Sequence, residues 1–468
     1  MKAGLAKAHS RTARPGPSRS IQSMLGNALQ QHRAGQLSEA EQLYRQILEI
    51  DAHHADSLHL LGMIAHQAGR HEDAVELIRR AIAIHATGAS YHSNLGTILQ
   101  APGKLDEAAA CYGRALALRP DSAEIHTNLG NILQAQDKLD EAIACHERAL
   151  ALKPSLAEAR YNLGMAQLLK GRFAEGWHNF EGRWLSRNFA TPMRVYPQPL
   201  WTGEKLASGR VLIWGEQGIG DEIMFAGLVP DVIRTGNRCL LDCDARLKPL
   251  LARSFPGIDL VSGIDPRHTP EPNIAAHSPS GSLPKLFRAS HKDFAATTSP
   301  YLVADPAERA RFRAQYADGR RLVGLAWYTK NRNKGMERSI DLSWFSPLLA
   351  RPDIRWVSLQ YGDHDELERQ AAAAGAPILI DRSVDQFSNI DAFAAQVAAM
   401  DLVITIDNST AHLAGALGVP AFVLLPKVSD WRWLQSGEDS PWYPTLRLFR
   451  QPHRGDWESV VRKVQSAL

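Results

Sequence analysis

The chain is poor in cysteine: Cys111, Cys145, Cys239 and Cys243 are the four among 468 residues, and none stands in a CxxC pair. A disulfide framework and the usual zinc-ribbon spacing are thereby excluded, and a reducing, cytoplasmic setting is expected. Long hydrophobic runs are also missing, since no stretch approaches the roughly 18 apolar residues that span a bilayer. No stable membrane insertion is expected. Excess charge of one sign is absent too: Lys and Arg total 53 against 50 Asp and Glu, a net +3. Five of those cations (Lys2, Lys7, Arg11, Arg14, Arg19) fall in residues 1–20, which hold no acid. Nucleic-acid binding by counterion release needs positive charge clustered on a folded face, so no nucleic-acid partner is expected. The tail, residues 1–20, lacks the apolar core of a signal peptide and reads as a disordered basic extension. Hydrophobic residues at 44% and charged ones at 22% fit a globular chain, and the length suggests about three domains.

What is present in abundance is a repeat. Shifting the sequence by 34 aligns Gly62, Gly96, Gly130 and Gly164, and a second column reads Ala40, Ala74, Ala108, Ala142 and Gly176. A third contains Gly35, Gly69, Gly103, Asp137 and Gly171, and a fourth Ala81, Ala115 and Ala149. Small residues at fixed points let paired helices approach closely, and the third column supplies a left-handed residue where the first helix of each pair ends. Cys111 and Cys145, also 34 apart, read as small core residues. These columns resemble the tetratricopeptide repeat, with about five copies over residues 21–190. The resemblance implies a helical solenoid whose concave face takes a protein or peptide. Position six of copies three to five is Asn94, Asn128 and Asn162, similar to the asparagine ladder of the O-linked N-acetylglucosamine transferases. Such a column hydrogen-bonds the backbone of an extended peptide without reading its side chains.

Beyond a connector at Pro192–Gly203, short apolar segments alternate with helical ones. Arg210–Trp214, Cys239–Cys243 and Ile258–Val261 read as strands of one lobe, residues 195–305. Leu322–Trp327, Arg355–Leu359, Ile378–Ile380, Leu402–Ile406 and Ala421–Leu425 read as strands of a second, residues 306–468. The expected fold class is therefore an α-helical solenoid followed by an α/β region of two Rossmann-like lobes with parallel sheets. The final helix, Trp457–Leu468, is expected to cross back to the first lobe. Ligands of such sheets sit beyond the carboxyl ends of the strands, which directs attention to the segments that follow them.

Three such segments carry candidate chemistry. Gly215-Glu-Gln-Gly-Ile-Gly-Asp221 is neither a Walker loop nor a GxGxxG turn. Its Gly218-Ile-Gly-Asp221 portion is similar to the GxGD loop of the heptosyltransferase-like glycosyltransferases. That resemblance implies Asp221 as catalytic base, with Glu222 a second candidate; helix capping is the plainer role for Asp221. Asp407-Asn-Ser-Thr-Ala-His412-Leu-Ala resembles the diphosphate-binding segment of the same family. Asn408, Ser409, Thr410, Ala411 and His412 are thus expected at the donor. Lys330, Lys334 and Arg338 lie on a cationic loop suited to neutralising a leaving nucleoside diphosphate. Gln360, at a strand end, is expected near the nucleotide. Asp242-Cys-Asp244 matches a DxD metal motif but reads as an ordinary strand end, so no metal is expected. The Trp431-Arg-Trp433 and Pro441-Trp-Tyr443 cluster suits either sugar stacking or an interlobe seam.

The resemblance implies a metal-independent glycosyltransferase of the two-lobed GT-B type. It would move a sugar from a nucleotide-diphosphate donor, its co-substrate, to an acceptor hydroxyl, such as one on a protein held by the repeats. No cofactor is expected. Two alternatives stand beside it: a non-catalytic repeat scaffold or sugar-nucleotide sensor, and a transferase acting on a lipid or glycan precursor.

Overall fold

The computed structural model describes residues 17–101, 103–187, 189–264, 273–295, 300–330 and 335–468. Most of the basic tail and the candidate Lys334 lie outside them. The chain divides into two compact units, Met1–Leu156 and Ala157–Leu468.

The first unit is built of helix pairs: α1 (Pro17–Arg33), α2 (Leu37–Ile50), α3 (Ala55–Gln67), α4 (His71–Ile84), α5 (Ala89–Gln100), α6 (Leu105–Leu118), α7 (Ala123–Ala135) and α8 (Leu139–Leu152). The 34-residue columns have direct steric causes. A β-carbon on Gly62 would lie 2.7 Å from Ile78 Cγ1, and one on Gly130 would lie 2.6 Å from His146 Cε1. Each of these glycines therefore receives a large side chain sixteen residues later, and Ile78, Tyr112 and His146 are all fully buried there, as is Tyr44 opposite Ala28. The turn column is left-handed throughout, with Gly69 at φ +77° and Asp137 at φ +65°. His146 is the misfit of the series. Neither of its ring nitrogens has a hydrogen-bond partner, and burial pushes its pKa down to about 4.

The second unit opens with α9 (Ala157–Leu169) and α10 (Phe173–Phe180), so the fifth helix pair belongs with the α/β region. Trp177 of α10 is buried, donates to the Arg288 carbonyl at 2.9 Å and meets the Trp431 ring edge-on at 5.2 Å. Two parallel sheets follow. One joins β1 (Arg210–Trp214), β2 (Arg238–Asp242), β3 (Asp259–Val261) and β4 (Ile274–Pro279) in the order β3-β2-β1-β4. The other joins β5 (Arg321–Leu325), β6 (Ile354–Ser358), β7 (Ile378–Leu379), β8 (Leu402–Ile406), β9 (Ala421–Leu425) and β10 (Leu446–Arg450) in the order β10-β9-β8-β5-β6-β7.

Strand order reverses between β1 and β4 and again between β5 and β8, which opens a crevice at each point beyond the strand ends. The five residues of β8 are all buried, the continuous apolar pattern of a strand covered on both faces. The last helix, Trp457–Ala467, departs from expectation. Its Trp457, Val460, Val461 and Val464 pack with Val323, Leu325, Trp356 and Phe449 in the core of the six-stranded sheet, rather than crossing to the first lobe. Four apolar residues at i, i+3, i+4 and i+7 make one helical face, and that sheet supplies the nearest apolar surface to cover it.

Candidate functional site

The loop after β1 and the segment after β8 meet. Helix α11 (Ile219–Ala226) begins at Gly218, which offers no capping side chain. The helix Ser409–Ala416 begins at Asn408. A β-carbon on Gly220 would lie 3.1 Å from His412 Cδ2 and 3.7 Å from Ser409 Cα, so the two segments approach closely and a larger residue here would press on the His412 ring. Two helix N-termini, each with a partial positive charge, thus face one small volume.

Asp221 lies in the first turn of α11, and its carboxylate is ion-paired with Arg432. Arg432 sits in the short turn Trp431–Trp433, with Nη1 2.5 Å from Asp430 Oδ1 and Nη2 3.4 Å from Gln217 Oε1. Its guanidinium also lies over the Trp431 ring at 4.5 Å. Arg338 is close by, 3.0 Å from Asp407 Oδ2 and 3.4 Å from Asp430 Oδ2. Burial pushes the Asp407 carboxyl up, with Arg338 opposing that shift. Two arginines and three aspartates therefore form one network at the carboxyl ends of both sheets.

Glu222 turns away from this network. It packs under Gly215, accepts from the Asp244 amide at 2.8 Å, and is pushed up to about 7 by burial. Asp221 and Glu222 are therefore adjacent in sequence and divergent in space.

The remaining candidates divide into exposed groups and committed ones. Asn408 caps its own helix: Oδ1 accepts from the Thr410 and Ala411 amides at 3.0 and 3.3 Å and from Thr405 Oγ1 at 3.0 Å. Those two amides, expected at a phosphate, are spent on Asn408, and Thr410 and Ala411 are buried. Ser409 is half-buried. His412 is a buried neutral imidazole, its pKa lowered to about 3 by burial and by the nearby Arg432. Its Nδ1 is 3.0 Å from the Tyr443 hydroxyl, and its ring stacks on Trp433 at 5.1 Å. Gln360 is fully buried: it accepts from the Trp327 and Tyr328 amides and donates to the Tyr328 and Tyr361 carbonyls. It clamps the loop after β5, and its position is that of a scaffold residue. Lys330 is exposed. Asp242 is taken by Arg194 at 2.5 Å and by the Gly263 amide, and Asp244 by Arg246, so neither DxD carboxylate is uncommitted.

In the first unit, Asn94 on α5 is hydrogen-bonded through Nδ2 to His59 Nε2 at 2.8 Å, and Asn128 is half-buried on α7. Asn162 lies on α9 in the second unit. Its neighbour Tyr161 feels the charges of Arg432, Asp430, Arg183 and Asp221.

Sequence reasoning missed Arg432, because the Trp431-Arg-Trp433 run was read for its rings. It also missed Arg183 and Glu216, which are both buried and paired at 2.8 Å. A buried arginine carries no local sequence signal.

Residues 31–96 match the tetratricopeptide repeat family, and residues 98–137 and 130–171 match a second family of the same repeat. The helix pairs between residues 31 and 171 are tetratricopeptide repeats. The chain is 32% identical over 335 residues to protein FlbA of Caulobacter vibrioides, which covers 64% of this chain and 53% of FlbA. It thus spans about half the length of that curated relative. Solved structures with likeness to the repeats include MamA (24% identity, 33% of this chain, 91% of that one, TM-score 0.31). Pseudomonas aeruginosa pilF (20%, 36%, 77%, 0.34) and YrrB, described as having an unusual peptide-binding site (19%, 36%, 90%, 0.32), are similar in the same way. No helix among the described residues is long and apolar enough to cross a membrane.

Proposed function

We propose that the chain is a metal-independent glycosyltransferase of GT-B type whose repeats engage a protein acceptor. The observation that carries this reading is the contact of Gly220 with Ser409 and His412, which sets a carboxylate-bearing loop from one sheet against a helix N-terminus from the other. A nucleotide-sugar donor would lie beyond β5 and β8, near Lys330, Arg338 and Ser409. Asp221 would take the proton of the acceptor hydroxyl as that oxygen attacks the anomeric carbon. The carbon's bond to the diphosphate breaks, and the diphosphate leaves with the electron pair, its charge met by arginine. Tyr161 and Asn162 on α9 of the same unit would contact an acceptor segment near Asp221.

The test is donor turnover by the full chain. A panel of UDP-, GDP-, ADP- and CMP-sugars is followed for donor hydrolysis and for transfer to protein or lipid fractions. Asp221→Asn should lower turnover by about two to four orders of magnitude, the usual weight of a general base. Full activity in a folded Asp221→Asn chain would sink the assignment.

A second reading, a scaffold without turnover, is favoured by the repeats themselves, which are of the protein-interaction kind, and by the self-capping of Asn408. Donor binding with no turnover of any sugar would decide for it.

A further inference from the structure

The Asp221–Arg432 pair joins the loop after β1 to the Trp431–Trp433 turn, and its surroundings do not match those of a structural ion pair. Side-chain exposure is 15% for Asp221 and 13% for Arg432, against 1% and 0% for the Glu216–Arg183 pair. Arg432 has a second carboxylate, Asp430, at 2.5 Å, which would keep the guanidinium in place if Asp221 let go.

Around the pair stand donors with no acceptor among the described residues. The Ile219 and Gly220 amides open α11 uncapped. The Ser409 hydroxyl is half-buried and makes no hydrogen bond. Asn408 is nine-tenths buried, and while its Oδ1 caps the helix its Nδ2 has no partner at all. A buried amide nitrogen without an acceptor is a donor that the oxygen of a ligand can complete. The uncapped N-terminus of α11, an unfilled amide and a partly exposed arginine share one requirement, an anion with several oxygens.

We infer that Arg432 is a shared cation: it holds Asp221 in the ligand-free chain and passes to the diphosphate of a nucleotide ligand, which frees Asp221. The diphosphate bridges Arg432 and the amides of α11, with Asn408 Nδ2 and Ser409 Oγ on its other side. Asp221 then becomes available as a base only after the donor has bound, which makes binding ordered and keeps the carboxylate neutralised while no donor is present. The base role of Asp221 rests on the transferase reading; the exchange of partners at Arg432 does not.

Titration calorimetry on the full chain, without divalent cations, separates the two. The probes are inorganic pyrophosphate and, in separate arms, UDP, GDP and ADP. Asp221→Asn removes the internal competitor and should tighten diphosphate binding by about five- to tenfold, since a ligand that must displace an internal partner loses affinity in proportion to that partner's occupancy. Arg432→Ala should weaken it by about tenfold or more, with Arg432→Lys between, because lysine keeps the charge and loses the fork. In the double variant the Asp221→Asn gain should vanish. Circular dichroism and melting of each variant guard against misfolding. Pyrophosphate and nucleotide arms that respond alike assign the site to the diphosphate, whereas a response of nucleotides alone would overturn that assignment. An unchanged or weaker affinity in folded Asp221→Asn, or no binding of any probe to the wild type at millimolar concentration, overturns the exchange. If the exchange pattern holds while no donor sugar is turned over, the transferase reading fails and the anion site stands. Turnover with Asp221→Asn unchanged in diphosphate affinity gives the opposite result.

Discussion

Two arginine–carboxylate pairs grip the same seven-residue loop, one at each end, and they are built to opposite specifications. At Glu216 both oxygens are used: Arg183 Nε and Nη2 donate at 2.8 and 3.0 Å, and the Gly281 amide adds 2.7 Å. Arg183 is in turn satisfied by Glu181 and Ser282, each at 2.8 Å. Its side chain and that of Glu216 are 0% and 1% exposed. At Asp221 the carboxylate meets, through one oxygen, a guanidinium whose side chain is 13% exposed and which already has Asp430 as a partner. Saturation marks the first pair as a fixture tying the chain beyond α10 to the ends of β1 and β4. Contact through a single carboxylate oxygen, with side chains 13–15% exposed, marks the second as a contact that can change hands. A sharp test of this contrast is to break each pair and compare the costs.

The largest effect is expected at the saturated pair. Glu216→Ala leaves Arg183 charged, buried and short of its bidentate partner, and removal of one member of such a pair costs about 3–5 kcal/mol. Arg183→Ala should cost a similar amount, and the double variant much less than the sum of the two. Denaturant unfolding would measure this. A loss below about 1 kcal/mol in either single variant would reduce this pair to the rank of the other.

The sequence made the helix pairs and most strands legible because their signals are local. The glycine and alanine columns report helix–helix approach, and β1, β5 and β8 are short continuous apolar runs bounded by turn residues. Strands β4 and β10 were not expected: β4 lies within the Pro/Ser/His-rich stretch 265–284, and Leu446-Arg-Leu-Phe-Arg450 is no continuous apolar run. Asp221 and the Asn408–His412 segment could be singled out because each follows a strand. Arg183 and Arg432 could not, because a buried cation is recognised by the carboxylate that it meets, 33 and 211 residues away.

Glu222 extends the comparison to a third carboxylate of the same segment, one with an amide partner and no arginine of its own. Its pKa is raised from 4.5 to about 7, so folding favours its protonated form. The sign follows: stability is greatest below about pH 4.5 for this group and is lost as pH rises through about 7, by roughly 3 kcal/mol in all. Glu222→Gln should flatten that slope, as read from melting temperatures between pH 5 and 8. A slope that survives the substitution would place its origin elsewhere.

His146 takes the contrast into the repeats, as a buried polar group with no partner. Phe180 stands at the equivalent place in the next copy, and His146→Phe should raise stability by about 1–2 kcal/mol, the cost of the unsatisfied ring nitrogens. With its pKa near 4, the wild-type histidine contributes stability above about pH 6.5 that is lost as pH falls toward 4, and the variant should be less sensitive to acid. A destabilised His146→Phe chain would mean that Gly130 cannot accommodate the larger ring.

The smallest stability effect is expected at the exchangeable pair, and that smallness carries the argument. If Arg432 rests against Asp221 only until an anion arrives, Asp221→Asn should shift unfolding by no more than about 1 kcal/mol, as for other partly exposed ion pairs. Asp430 still holds the arginine in that variant, and Asn still offers the guanidinium an oxygen. Arg432→Ala should cost slightly more, because it strips a cation from both Asp221 and Asp430. Pyrophosphate should then raise the melting temperature of the wild type, raise it further in Asp221→Asn at equal concentration, and leave Arg432→Ala unmoved. A loss of 3 kcal/mol or more in Asp221→Asn would make this pair a second fixture, with both ends of the loop locked, and the release of Asp221 by a ligand would be too costly to occur.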